Sequence, residues 1–145
     1  MSYILVAIAL LISIATSSHA QTMTGGIMSQ NPNDPEHMKK AWNALESVDG
    51  TISNDGEYHL IPIKVVKAQT QVVAGIRYML EVIYGESTCK KTEVAATALL
   101  QEKCELKKGG NQALYEINIY EHPWENPKQE YSASKIHDIT AGEQI

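Results

Sequence analysis

The sequence contains only two cysteines and no strongly basic stretch, and its formal net charge is −5. Nucleic-acid binding needs clustered Lys and Arg that neutralise phosphates, so we expect no nucleic-acid partner. The chain has neither a Gly-rich phosphate loop nor a G-x-S-x-G nucleophile turn. An enzyme would therefore need a catalytic site assembled from residues that are distant in sequence. We expect no catalytic residues and no cofactor.

Patterns typical of metal binding are also missing. Two cysteines are too few for a structural zinc site, and no histidine lies near either one. The chain has no Asn-X-Ser/Thr sequon, so N-glycosylation is not expected. The sequence therefore predicts no metal site. The histidines after residue 20 have no ligand spacing, and we expect all of them on the surface: His37, His59, His122 and His137.

Residues 4–14 form an apolar run that is interrupted only by Ser13. This run is shorter than the roughly 20 residues that a membrane-spanning helix needs. Ser18-His19-Ala20 follows it, with small residues at the positions typical of signal-peptide cleavage. We therefore predict a signal peptide at residues 1–20, a secreted, extracellular domain at residues 21–145, and no membrane partner. The alternative, an uncleaved anchor, is disfavoured by the length of the run.

Export changes the expected state of Cys89 and Cys104. Outside the cell an isolated pair of cysteines is typical of a disulfide, and the two are 15 residues apart. Closing a loop of that size stabilises a fold by roughly 3 kcal/mol in the chain-entropy model. The alternative, two free thiols, applies if the chain is not exported.

The chain predicts one helix followed by strands. Residues 21–33 are small and polar and indicate a flexible arm. Asp34 can cap a helix that has Pro35 at its first position and ends near Gly50. Its apolar face repeats at helical spacing: Met38, Ala41, Trp42, Leu45 and Val48.

Four later segments are rich in branched and aromatic residues and favour strands: residues 58–70, 76–84, 114–121 and 131–139. Residues 86–111 contain both cysteines and an alanine-rich stretch, which indicates a partly helical excursion from the sheet. The predicted fold is α+β, with one long helix packed on a twisted antiparallel sheet of four to five strands.

Three turns or arms carry apolar or glycine residues where a turn is ordinarily polar. Each also has an ordinary explanation: a flexible linker, a tightly packed turn, or a Trp folded back onto the protein. Alternate turns of an up-and-down sheet lie at the same end, so the three can form one apolar edge that fits a partner groove. They are Met23-Thr24-Gly25-Gly26, Gln71-Val72-Val73-Ala74-Gly75 and Pro123-Trp124.

These motifs, in this order, resemble the secreted cystatins. One disulfide together with a Ser-Asn-Asp loop resembles the pattern of invertebrate members, including those of nematodes. The matching features are Gly25, the Q-x-V-x-G motif at residues 71–75 and the Pro123-Trp124 pair. The resemblance implies a five-turn helix wrapped by five strands. It also implies a monomer that reversibly and tightly inhibits papain-like cysteine proteases of the cathepsin type.

The implied mechanism is occlusion of the protease cleft without chemistry. Residues 71–75 and Pro123-Trp124 would enter the cleft over the catalytic Cys and His. Met23 and Thr24 would fill the subsites on the other side, and Gly25 would act as their hinge. The alternative is a non-inhibitory secreted binding module on the same scaffold, since a fold does not fix a function.

Two further features follow from the resemblance. Ser53-Asn54-Asp55 resembles the loop by which some secreted cystatins inhibit legumain, with Asn54 entering its pocket; an ordinary turn is the alternative. Secreted cystatins generally have two disulfides, but Tyr115 stands where a third cysteine is expected. We therefore expect the Pro123-Trp124 hairpin to be less firmly anchored than residues 71–75.

Overall fold

Five antiparallel strands form one sheet whose spatial order follows the chain. The computed structural model describes residues 25–51 and 54–145. The expected signal peptide lies outside the described residues. The strands are β1 (Ile27–Gln30), β2 (Tyr58–Val73), β3 (Gly75–Lys90), β4 (Gln112–Glu121) and β5 (Gln129–Ile139). Helices α1 (Pro35–Asn43) and α2 (Leu45–Asp49) connect β1 to β2. The predicted α+β class is confirmed.

The helical segment is shorter than expected. Asp34 caps it as predicted, because its carboxylate accepts a hydrogen bond from the Glu36 amide at 3.0 Å. The regular helix is interrupted at Ala44 (φ −81°, ψ −2°), which divides the segment into nine and five residues. The expected single long helix, and the five turns implied by the resemblance, are therefore wrong in length. Apolar periodicity marks a buried face, and that face is continuous across the interruption: Ala41, Ala44, Leu45 and Val48 are all buried.

The core lies between the helices and one face of β2, β3 and β4. Alternate residues of the central strands point into it, as the sequence predicts, because side chains on a strand alternate between faces. Tyr84 also ties the sheet to α1, since its hydroxyl donates to the Ala41 carbonyl oxygen at 2.7 Å. The fully buried hydrophobic side chains of β3 and β4 are Leu80, Val82, Tyr84, Tyr115, Ile117 and Ile119.

The segment between β3 and β4 contains a single 3-10 turn (Ala96–Ala98), so its helical part is small. Cys89 and Cys104 form the predicted disulfide, with their Cα atoms 5.6 Å apart. None of the helices in the described part of the chain is long and apolar enough to cross a membrane.

Two histidines that were expected on the surface are buried, so that prediction is wrong for His37 and His59. The imidazole of His59 lies between the Asp49 carboxylate and the Val94 carbonyl oxygen, and both ring nitrogens have partners. A histidine can be buried when its polar atoms are satisfied, and spacing along the sequence does not reveal such partners. His37 is 6% exposed, and its Nδ1 has no hydrogen-bond partner among the described residues.

Candidate functional site

The turn between β2 and β3 is a tight hairpin with apolar side chains at its tip. The two strands stay paired up to Val73 and Gly75, so that Ala74 alone connects them. Val72 and Val73 are 45% and 38% exposed. Gly75 has φ +105°, a backbone conformation that L side chains rarely adopt. The structure therefore places residues 71–75 in a tightly paired hairpin with exposed apolar side chains.

The turn between β4 and β5 projects at the same end of the sheet. Its ends are held together, because the His122 amide donates to the Lys128 carbonyl oxygen at 2.7 Å. Trp124 is 64% exposed, so it is not folded back onto the protein. Its indole lies beside the first hairpin: a Cβ added to Gly75 would be 3.5 Å from Trp124 Cη2. The two turns are therefore immediate neighbours.

The arm reaches the first hairpin from its other side. Residues 21–33 were expected to be a flexible arm, but residues 27–30 form strand β1, with Ile27 opposite Gln71. That prediction is wrong for residues 27–30. Their backbone N–H and C=O groups pair with the free edge of β2, and side-chain composition does not predict such pairing. Gln71 Nε2 also donates to the Gly25 carbonyl oxygen at 2.7 Å. Met23 and Thr24 lie outside the described residues.

Register brings these three elements into one row. Gln71 is opposite Ile27 on one side, and Ile76 is opposite Glu121 on the other. We call this row the apolar edge: Gly25, residues 71–75 and Pro123-Trp124. Sequence reasoning missed three exposed apolar residues beside it, although two of them directly follow Gly25-Gly26. They are Ile27 (56% exposed), Met28 (52%) and Ile76 (39%).

A partly buried ion pair lies behind the apolar edge. Lys40 Nζ of α1 is 2.7 Å from Glu121 Oε1, at the end of β4. Burial acts to raise the pKa of Glu121, but hydrogen bonds from Lys40, Gln129 and Tyr78 outweigh it and hold that pKa below its usual range. Glu121 is therefore a carboxylate at neutral pH. Sequence reasoning missed this pair because its members are 81 residues apart.

The Asn54 loop lies at the other end of the sheet. Tyr58 starts β2 opposite Lys90, whereas Val73 ends β2 opposite Gly75. Sixteen residues of strand separate the two ends by roughly 50 Å. Asn54 Nδ2 donates to Asp49 Oδ1 at 3.2 Å and is 3.4 Å from the Val48 carbonyl oxygen, so its side chain is turned towards α2. Asp55 is exposed, and Ser53 lies outside the described residues.

Tyr115, at the position where a third cysteine is expected, is part of the core. It is 1% exposed, and its ring packs edge-to-face against Tyr84 with 5.6 Å between centroids. Burial raises the pKa of the Tyr115 hydroxyl. An aromatic pair of this kind contributes about 0.5–1.5 kcal/mol beyond the area it buries. The position therefore stabilises the fold through packing.

Comparison with known proteins gives consistent matches over most of the chain. The family described as "Cystatin domain" matches residues 25–124. Cystatin cpi-1 of Caenorhabditis elegans is 40% identical over 139 residues, which cover 95% of this chain and 96% of that protein. Cystatin cpi-1 of Brugia malayi is 30% identical over 113 residues, covering 78% and 85%. The crystal structure of a salivary cystatin from the soft tick Ornithodoros moubata has a TM-score of 0.62 at 27% identity, covering 78% of this chain and 98% of that one.

Proposed function

This chain belongs to the cystatin family, and we propose that it is a reversible, tight-binding inhibitor of papain-like cysteine proteases. The observation that carries the proposal is the apolar edge, where three separate elements meet at one end of the sheet. Its largest side chain, Trp124, is 64% exposed. A solvent-exposed apolar row of this kind fits a complementary groove.

We propose that the apolar edge enters the protease cleft as a preformed wedge. The hairpin at residues 71–75 is paired to its last residue, and the turn at residues 122–128 is closed by a hydrogen bond. Rigid elements lose little conformational entropy on binding, so most of the contact energy is retained as affinity. Met23 and Thr24 would extend the contact into neighbouring subsites.

The decisive experiment is titration of active papain with the purified chain. We expect inhibition at sub-micromolar concentration that is reversed on dilution, with the inhibitor recovered intact. A lack of inhibition at high inhibitor concentration would instead support the alternative, a non-inhibitory binding module. Progressive cleavage of the chain by papain would contradict the wedge.

Trp124→Ala tests the contribution of the second turn. We expect weaker inhibition, mainly through faster dissociation, because Trp is typical of residues that dominate binding energy. Leu100→Ala is a matched control, since Leu100 is 65% exposed but lies in the segment between β3 and β4. Equal effects of the two substitutions would contradict the assignment of the edge. Deletion of residues 21–24 should weaken inhibition of some target proteases more than others.

A second site for legumain at residues 53–55 is a separate proposal. The observation that favours it is position: the loop is at the far end of the sheet, so both proteases could bind together. Insertion of Asn54 into a pocket would require its amide to leave Asp49. We expect Asn54→Ala to abolish legumain inhibition and to leave papain inhibition unchanged. Loss of both would indicate damage to the fold.

We also propose that the protein acts as a secreted monomer. The Cys89–Cys104 disulfide supports export, because disulfides persist mainly in oxidising compartments. Expression of the full chain in a eukaryotic secretory system should release a product that begins at Gln21. Retention of residues 1–20 in the released protein would contradict this proposal.

A further inference from the structure

A polar network joins α1 to the base of the turn that carries Trp124. Lys40 Nζ and Gln129 Nε2 each lie 2.7 Å from the same atom, Glu121 Oε1. Tyr131 extends the network, since its hydroxyl donates to Gln129 Oε1 at 2.7 Å. Glu121 and Gln129 are opposite each other in the ladder and close the turn at residues 122–128. One carboxylate therefore links three elements: α1, β4 and β5.

The network is largely screened from water. The side chains of Lys40 and Glu121 are only 14% and 23% exposed. The Lys40 ammonium also lies over the Tyr78 ring, 4.1 Å from its centroid. An ion pair with this degree of burial and several hydrogen bonds is held more firmly than an exposed pair. The low pKa of Glu121 keeps the carboxylate charged, so the contact persists into mildly acidic conditions.

The backbone of Glu121 also lies against the first hairpin. Its carbonyl oxygen lies so close to Gly75 that a Cβ on that glycine would overlap it. Trp124 follows three residues later in the chain. A displacement of Glu121 would therefore be expected to shift Trp124 relative to residues 71–75.

The disulfide lies at the other end of the sheet. Cys89 is the second-last residue of β3, at the opposite end of the strand from Gly75 and Ile76, and Cys104 lies in the segment that follows. We propose that Lys40 and Glu121 are positioning residues, which hold the Trp124 turn against the first hairpin in its binding arrangement. This inference rests on the proposed inhibition of papain-like proteases. It adds the residues that hold the two turns of the apolar edge next to each other.

The first test is the dissociation rate of the papain complex. Lys40→Met keeps the length of the stem and removes the charge, and we expect dissociation five- to tenfold faster. Lys40→Arg restores a cation and should stay within about threefold of the wild type. Lys67→Met is the matched control: Lys67 forms an ion pair with Glu81 at 3.1 Å on the same sheet, away from the edge, and should change nothing.

Charge reversal provides a second variant in case one substitution unfolds the protein. Glu121→Lys places two cations at the base of the turn and should accelerate dissociation more than Lys40→Met. Adding Lys40→Glu re-forms an ion pair with the charges exchanged, and we expect at least half of the lost complex lifetime to return. If Lys40 and Glu121 each stabilised the fold independently of the other, exchanging their charges would not restore the lifetime of the complex. Absence of rescue would overturn the proposal.

A measurement without protease separates this inference from the proposed function. Amide and indole ¹⁵N relaxation should show increased motion of Trp124 and residues 122–128 in Lys40→Met but not in Lys67→Met. If the wild type does not inhibit papain but Lys40→Met still shows increased motion of the turn, the proposed function is wrong and the positioning role of Lys40 and Glu121 is supported. If the wild type inhibits and Lys40→Met matches it in dissociation rate and in relaxation, the positioning role is wrong.

Discussion

Replacing Gly75 by alanine tests the close approach between the two turns. Two effects act at this position. The backbone has φ +105°, where an L side chain is strained, and the new Cβ would overlap the Glu121 carbonyl oxygen. The first effect occurs at any glycine with positive φ. The second occurs only where another strand approaches as closely as β4 does here.

Gly142→Ala separates the two effects. Gly142 has φ +93°, but nothing lies within 4 Å of the position a Cβ would take. Both substitutions therefore cost about 2 kcal/mol in backbone strain. At Gly75 the overlap also forces β3 and β4 apart, which breaks one or two ladder hydrogen bonds worth about 1 kcal/mol each. We expect Gly75→Ala to lower the free energy of unfolding by about 3–4 kcal/mol.

The assay combines urea unfolding with papain titration. Because Gly75→Ala displaces the two turns, it should weaken the free energy of papain binding by about 1.5–2 kcal/mol. This corresponds to an increase in Kd of roughly 10- to 30-fold. Gly142→Ala should bind papain like the wild type. Equal stability of Gly75→Ala and Gly142→Ala, together with unchanged papain binding by both, would refute the close contact with Glu121.

Three further substitutions have distinct expected outcomes. Gln71→Leu removes the donor to the Gly25 carbonyl, which contributes about 1 kcal/mol, so papain titration should show roughly fivefold weaker inhibition. Tyr84→Phe removes a hydrogen-bond donor to a buried helix carbonyl and should lower the free energy of unfolding by about 1 kcal/mol in urea, with papain affinity unchanged. Replacing Cys89 and Cys104 by serine opens a loop with a sequence separation of 15 residues; it should cost about 3 kcal/mol in stability without weakening papain binding.

Features encoded by short-range pattern were predictable from the sequence. The alternation in residues 76–84 placed Leu80, Val82 and Tyr84 on the core face, and all three are fully buried. Gly75 indicated the hairpin because only glycine adopts its backbone geometry without strain. The disulfide followed from two cysteines in a chain expected to be exported. In each case the determining interaction lies within a few residues or involves a rare residue type.

Features that depend on tertiary partners were not predictable. Strand β1 forms because β2 offers a free edge, and nothing in the composition of residues 27–30 reveals that edge. Nothing in the sequence around His59 distinguishes it from a surface histidine. Its ring nitrogens contact Asp49 and Val94, and these partners are known only from the folded structure. The interruption at Ala44 leaves the apolar repeat intact, so periodicity gives no signal of it.

The anchoring of the second turn shows the difference between what the sequence predicts and what only the tertiary contacts show. From the cysteine count, the Pro123-Trp124 hairpin was expected to be the less firmly held part of the edge. That expectation counted covalent links only. Glu121 provides two other links: its carboxylate bonds to Lys40 and Gln129, and its carbonyl oxygen limits the space beside Gly75. Because both links pass through one residue, a change at Lys40 and a change at Gly75 would disturb the same contact between the turns.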